Sequence, residues 1–228
     1  MARSAGEPGP FRGWSPDALL FFEALSADNS KAFWSAHRER YEREVRAPML
    51  ALVAAVADAY GTFHLFRPHR DVRFSKDKSP YKTHLGAVTE GEGGELYYVQ
   101  LSGEGLMAAS GYYQMAADQL ERYREAVVDE RTGPELEAIV AALERDGYTI
   151  GAHSELKTAP RGYRRDHPRI VLLRRKGCIA SRSFAPAKWL ATSGALGRVT
   201  GTWDAASELN GWLNAHVGPS TAAPEDAW

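Results

Sequence analysis

Apolar positions along the chain fall first at helical spacing and then at strand spacing. Ser15-Pro16-Asp17 opens a helix with a capping hydroxyl, a first-turn proline and a carboxylate at the positive dipole end, and Leu19, Leu20, Phe22 and Leu25 bury one side. A second helix starts at Asp28-Asn29-Ser30, where Phe33, Trp34, His37, Tyr41 and Val45 recur at three- and four-residue steps and Glu39, Arg40, Glu42 and Arg43 form the wet face. Pro48 either kinks this helix or begins the next, which runs through Leu50, Leu52, Val53 and Val56 to about Tyr60.

After Gly61 the period changes. Strands are predicted at Thr83–Thr89, Glu95–Ser102 and Gly105–Tyr113, joined by the glycine-rich connections Gly91-Glu92-Gly93-Gly94 and Ser102-Gly103-Glu104-Gly105, which makes an antiparallel meander. Helices follow over Ala116–Asp129 and Pro134–Arg145, the second with Thr132 and Glu135 as a capping box. A short strand and irregular backbone lie between Tyr148 and Tyr163. Asp166-His167-Pro168 starts a helix through Ile170-Val171-Leu172-Leu173, Ile179–Phe184 returns to the sheet, and Pro186 to Val217 forms one or two helices packed by Trp189, Leu190, Leu196, Trp203, Leu209, Trp212 and Leu213. The expected fold is a single α+β domain over residues 11–217, an antiparallel meander or sheet packed with helices, with 1–10 a disordered lead and 218–228 a flexible tail.

Composition adds little to this picture, at 44% apolar and 25% charged residues. One cysteine, Cys178, rules out an intramolecular disulfide framework and fits a reducing compartment. Met1 to Pro10 has no apolar core of a secretory signal, and the run Met49 to Ala57 is too short to span a bilayer. A cytoplasmic protein with no membrane partner is expected.

Charge changes the picture more. The net charge is −1, yet residues 67–84 hold six Lys/Arg against two Asp, and residues 157–176 hold eight against one. The first stretch reads R-P-H-R-D-V-R-F-S-K-D-K-S-P-Y-K-T-H. It is predicted as a short strand running into a turn at Ser79-Pro80, with Val72 and Phe74 on one face and Asp71 and Arg73 on the other. Asp71 and Asp77 can neutralise two of its cations and so serve as structural partners, which leaves about four to face water or an anion. Arg67, Arg70, Arg73, Lys78 and Lys82 are therefore candidate ligands for phosphate or carboxylate, with Asp71, Asp77 and Tyr81 completing the candidate site.

The same residues carry a resemblance. Arg67, Arg70, Asp71, Arg73, Phe74, Asp77, Lys78 and Tyr81 match R-x-x-R-D-x-R-F followed by D-K-x-x-Y, and the chain resembles the bacterial family named domain of unknown function 2461. Asn29 to Tyr41, Gly111-Tyr112-Tyr113, Leu156-Lys157, Pro160-Arg161-Gly162-Tyr163 and His167-Pro168 extend it. The resemblance implies kinship and no particular chemistry.

In the second basic stretch Lys157, Arg161 and Tyr163 are candidate ligand contacts, since cations interleaved with an aromatic suit single-stranded nucleic acid. A sequence pI near 6.7 argues against a dedicated nucleic-acid binder, so a nucleotide or phosphometabolite fits as well. The two stretches are expected to line one concave surface. Asp146, Glu155 and Lys157 faintly echo a metal nuclease, and His69, His84 and His167 have the chemistry of general bases. His37 reads as a hydrogen-bonded core residue. No Walker, dinucleotide, G-x-S-x-G or H-E-x-x-H pattern is present, so no cofactor or metal is expected. The reading is a binder of a phosphorylated or polyanionic ligand, small molecule or nucleic acid. Two rivals stay open: an enzyme acting on a phosphate-bearing substrate, and a structural or interaction module with an internal Arg-Asp network.

Overall fold

The computed structural model describes residues 9–73, 77–90 and 94–221. Helix α1 (Pro16–Ala27) is followed by a continuous helical run made of α2 (Lys31–Arg40), a π-helical stretch (Tyr41–Arg46) and α3 (Ala47–Tyr60). Strands β1 (His64–Leu65), β2 (His84–Glu90), β3 (Leu96–Ser102) and β4 (Gly105–Tyr112) come next. Then follow α4 (Ala117–Val128), α5 (Thr132–Arg145), β5 (Thr149–Gly151), α6 (Ile170–Arg174), β6 (Cys178–Phe184), a 3-10 turn (Lys188–Ala191), α7 (Gly194–Ala205) and α8 (Ser207–His216). The strands form a six-stranded antiparallel sheet in the order β1-β2-β3-β4-β6-β5. The protein is thus α+β, with its meander strands within a residue of the positions predicted. The chain also divides into two compact units, Met1–Thr89 with Tyr98–Met107 and Ser183–Thr200, and Glu90–Tyr97 with Ala108–Arg182 and Gly201–Trp228. Each is described by itself. Residues 1–8 of the expected lead, 91–93 of the first hairpin connection and 222–228 of the expected tail lie outside the described residues.

Local chemistry explains where the helices begin and how they continue. Ser30 accepts the Phe33 N–H at 3.1 Å and caps α2 as its position predicts. Ser15 precedes α1 without capping it, because its hydroxyl donates to the Glu44 carboxylate at 2.6 Å. Thr132 does not cap α5 either. The Asp129 carboxylate reaches the N–H groups of Arg131 and Thr132 at 2.8 and 3.0 Å first, and the Thr132 hydroxyl turns back to donate to Ala126 O. Pro48 stands in the first turn of α3, one of its two predicted places, and the run stays helical across it. A proline lacks the N–H and crowds the carbonyl four residues back, and the turn before it widens so that Ala47 N–H reaches Glu42 O.

The first unit buries Trp14, Phe21, Phe22, Leu25, Tyr41, Val45, Met49 and Leu52 from its helical part and the segment before it, and Leu85, Ala87, Leu101 and Leu106 from its strands. Trp14 is stapled in place twice, its indole N–H donating to Val45 O and its backbone N–H to Leu190 O. The second unit buries Tyr123, Val127, Leu136, Leu172, Leu173, Leu209, Trp212 and Leu213 as one cluster. Its C-terminal segment is pinned where a flexible tail was expected. Arg122 donates to the carbonyls of Val217 and Pro219, Gln119 donates to Gly218 O, and Asp118 accepts from Ser220 and Thr221.

Gly111 sits at φ +136°, and a Cβ there would run into the Cys178 carbonyl of the adjacent strand. Gly111→Ala is expected to lower stability by about 2–4 kcal/mol, from backbone strain together with overpacking. Urea unfolding checks this through a lower midpoint at an unchanged slope.

Candidate anion-binding site

The basic stretch belongs to the first unit and is built on a two-point clamp. The Asn29 amide donates to Tyr81 O at 3.1 Å and accepts the Tyr81 N–H at 3.0 Å, so one side chain satisfies both backbone groups of a buried residue. The Tyr81 ring is 5% exposed and stacks on Trp34, centroids 4.4 Å apart and 11° from parallel. His69 closes on the same ring at 5.1 Å and forms an isolated antiparallel bridge with Tyr81. Arg70 N–H donates to Pro80 O and Lys82 N–H to Pro68 O, which ties the base of the loop shut.

The strand expected through 67–73 is absent. Pro68 and Pro80 stand next to the only bridge and have no N–H, so the pairing cannot continue past it into a ladder. Val72 is half-buried, and Phe74 and Lys76 lie outside the described residues. Tyr81, a candidate ligand contact, is instead a buried anchor whose ring is committed to Trp34.

Both loop carboxylates pair with arginine. Asp71 binds Arg73 at 2.7 Å, and its carboxyl is pulled down to about 2, first by that side-chain hydrogen bond and then by the Arg73 backbone N–H. Asp77 is held below its usual value first by the Ser79 hydroxyl, then by the Ser79 N–H, with Arg70 paired beside it. Lys78 donates to Val72 O at 2.9 Å. These contacts are at the surface, so they shape the loop and contribute little to global stability.

Arg67 and Lys82 have no ion-pair partner among the described residues. Lys82 Nζ sits 5.0 Å over the Phe66 ring, and its ammonium is held below the ordinary value, first by burial, then by the charges of Arg67 and Arg70. His84 at the start of β2 is likewise held down, by burial first and then by Lys82 and Arg70. Half-buried Arg70, Lys82 and His84 and the exposed Arg67 thus act on one another, while Asp77 pairs with Arg70 and Asp71 draws on Arg67. From sequence His84 is expected as a general base alone. The signal that it joins the cation cluster was its two-residue spacing from Lys82.

The second basic stretch belongs to the other unit, and half of its eight cations are held by carboxylates or backbone carbonyls. Arg169 is 7% exposed, donates to Glu137 at 2.9 Å and to Val127 O, and lies 3.7 Å from Glu130. Arg175 is buried with Nε 3.4 Å from Glu155, Arg174 donates to Leu156 O, and Arg164 pairs with Asp166. Lys157, Arg161 and Arg165 are exposed. Tyr163 packs against the apolar cluster of its unit.

The remaining candidates are occupied locally. Glu155 is engaged by Arg175, and Asp146 ends α5. His167 Nδ1 accepts the Arg169 N–H, and His37 Nδ1 sits 2.9 Å from Phe33 O with its ring stacked on Phe33. Among the described residues no three His, Cys, Asp or Glu side chains gather as a metal site.

A family model described as conserved hypothetical protein, DUF2461, matches residues 17–212. The chain belongs to that family. The DUF2461 match runs from the first turn of α1 into α8 and takes in Asn29, Trp34 and the whole basic loop. No curated protein and no solved structure matches the chain.

Asn29→Ala leaves both backbone groups of Tyr81 without a protein partner and is expected to cost about 1–3 kcal/mol. Hydrogen exchange is the sharper readout, since the Tyr81 and Lys82 amides should lose protection before the amides of β3 do.

Proposed function

We propose that the DUF2461 chain binds a phosphorylated or otherwise anionic ligand at Arg67, Arg70, Lys82 and His84. The observation that carries this reading is the like-charge crowding itself. Cations that oppose one another at a half-buried position cost free energy in the empty protein, and a bound anion reverses the sign of that interaction. Arg67 brings planar, bidentate donors, and Lys82 a compact charge fixed over Phe66. The loop is pre-organised for this role because Tyr81, next to Lys82, is clamped by Asn29 and Trp34. Asp71 and Asp77 act as internal partners that hold Arg73 and Arg70. In the other unit, the exposed Lys157, Arg161 and Arg165 give a basic surface of its own, suited to the same ligand chemistry.

The reading places the protein in the cytoplasm, supported by its one cysteine, a buried thiol pushed up to about 11 by burial and so unreactive. No helix among the described residues is long and apolar enough to cross a membrane.

Sulfate is the direct probe, because it does not titrate near neutrality. Calorimetry should show it binding wild type, with Arg67→Ala weakening binding about tenfold or more, the range for a lost charge-assisted hydrogen bond, at an unchanged circular dichroism spectrum. If sulfate does not bind, or Arg67→Ala binds as wild type does, the loop is scaffolding.

The pH dependence has a definite sign. An anion favours protonated His84, so sulfate should bind more tightly at pH 6 than at pH 8, and binding should raise the His84 pKa seen by NMR. Without ligand the depressed His84 works the other way. The stability that goes with neutral His84 is present above the unfolded histidine pKa near 6.5 and is lost as pH falls through the lower folded value.

A further inference from the structure

The two faces of β2 and β3 carry different chemistry in the first unit. Leu85 and Ala87 with Val99 and Leu101 lie in the core, and since side chains alternate along a strand, His84, Gly86, Tyr98 and Gln100 take the opposite face. There the side chains of His84, Tyr98 and Gln100 are only half-buried. Phe66 joins them, because its N–H donates to Gly86 O at 2.9 Å and so extends the register in which Leu65 pairs with Ala87. The Tyr98 ring reaches across onto β2. A Cβ on Gly86 would lie 2.6 Å from its hydroxyl and 3.0 Å from two of its ring carbons, so glycine is what makes room for the ring.

Three printed contacts give this face a direction. The Lys82 ammonium stands 5.0 Å over the Phe66 ring, whose face attracts it as a cation. The Phe66 and Tyr98 centroids are 6.3 Å apart. The Tyr98 hydroxyl donates to Gln100 Oε1 at 2.8 Å, which takes up the amide carbonyl and leaves the amide N–H groups to donate elsewhere. Positive charge therefore marks one end, an aromatic ring follows, and a hydrogen-bond donor marks the other end. A phosphate, a sugar and a flat heterocycle come in the same order in a nucleotide.

We propose that this sheet face binds a nucleoside monophosphate, with the phosphate at Lys82, the base stacked on Tyr98 and the base edge hydrogen-bonded by the Gln100 amide. This rests on the anion-binding reading and names its ligand class. Every base has a face to stack, so an aromatic platform beside a cation recognises the class of ligand before any particular base. One nucleotide is the fitting size, because Lys82 occupies the Phe66 face and Tyr98 is the ring that remains for a base. His84, on the same face of β2 and within the field of Lys82, stands at the phosphate end.

Calorimetry on the full chain at constant ionic strength compares guanosine monophosphate with ribose 5-phosphate, which keeps the phosphate and lacks the base. Guanine offers acceptors at O6 and N7 that suit the Gln100 donors. Guanosine monophosphate is expected to bind at least about tenfold more tightly, the scale of one stacked base. Tyr98→Leu should bring it down to the level of ribose 5-phosphate, whose own affinity stays the same, at an unchanged circular dichroism spectrum. Tyr98→Phe keeps the ring and should keep most of the gain, and in wild type the base protons should show nuclear Overhauser contacts to the Tyr98 ring, so the proposal stays open to refutation even if the leucine variant does not fold. Equal affinities for the two phosphates would overturn it and leave the anion site standing. Failure of sulfate and both phosphates to bind would remove the anion site and this inference with it. A preference for guanosine monophosphate that survives Tyr98→Leu would overturn the placement of the base. A single-stranded hexanucleotide that binds more than about tenfold tighter than the monophosphate would overturn the assignment to a free nucleotide.

Discussion

Asn29 spends both ends of its amide on the backbone of a single residue, Tyr81, and the basic loop hangs from that point. Ser30 next to it caps α2, so the same short corner starts a helix and anchors a loop more than fifty residues away in sequence. Trp34, one turn into α2, supplies the flat surface against which the Tyr81 ring lies. Together with the His69–Tyr81 bridge and the backbone hydrogen bonds at its base, these contacts hold the loop, since the exposed ion pairs around it are weak in water.

The cations sort by burial. Arg169 and Arg175 are nearly enclosed, and each has a glutamate; Arg40 lies half-enclosed on Asp17. At the surface Arg73 and Arg164 take the aspartate two residues away. The exposed Arg67 and the half-buried Lys82 have no such ion pair among the described residues. A positive patch that survives this sorting is informative, whereas the raw count of lysines and arginines is not. The second basic stretch, richer in charge, is half committed to internal partners.

Helices and meander strands were legible because their apolar periods are regular and their turns are rich in glycine. The proline-flanked loop was not, because its shape depends on Asn29 and Trp34, and nothing local in Arg67 to His84 announces partners that distant. Tyr81 shows the limit clearly. A tyrosine among cations reads as a stacking surface for a ligand, yet its ring faces inward, since a tryptophan across the fold offers a larger apolar contact. Thr132 failed for a nearer reason: Asp129 holds the N–H groups of Arg131 and Thr132, so the helix begins at Thr132 itself and its hydroxyl turns back to Ala126 O. Local sequence shows that a cap is needed and says less about which of two neighbours supplies it.

The widened turn ahead of Pro48 has a further meaning. One extra residue in a turn rotates everything beyond it by about 100°, the angle between successive residues on a helix. The buried positions step by four through the wide turn, Tyr41, Val45 and Met49, before ordinary spacing resumes at Leu52, Val53 and Val56, and no loop is needed. Deleting one residue from Tyr41–Arg46 would restore an ordinary spiral and put that stripe out of register. Length, not composition, is what this segment has to conserve.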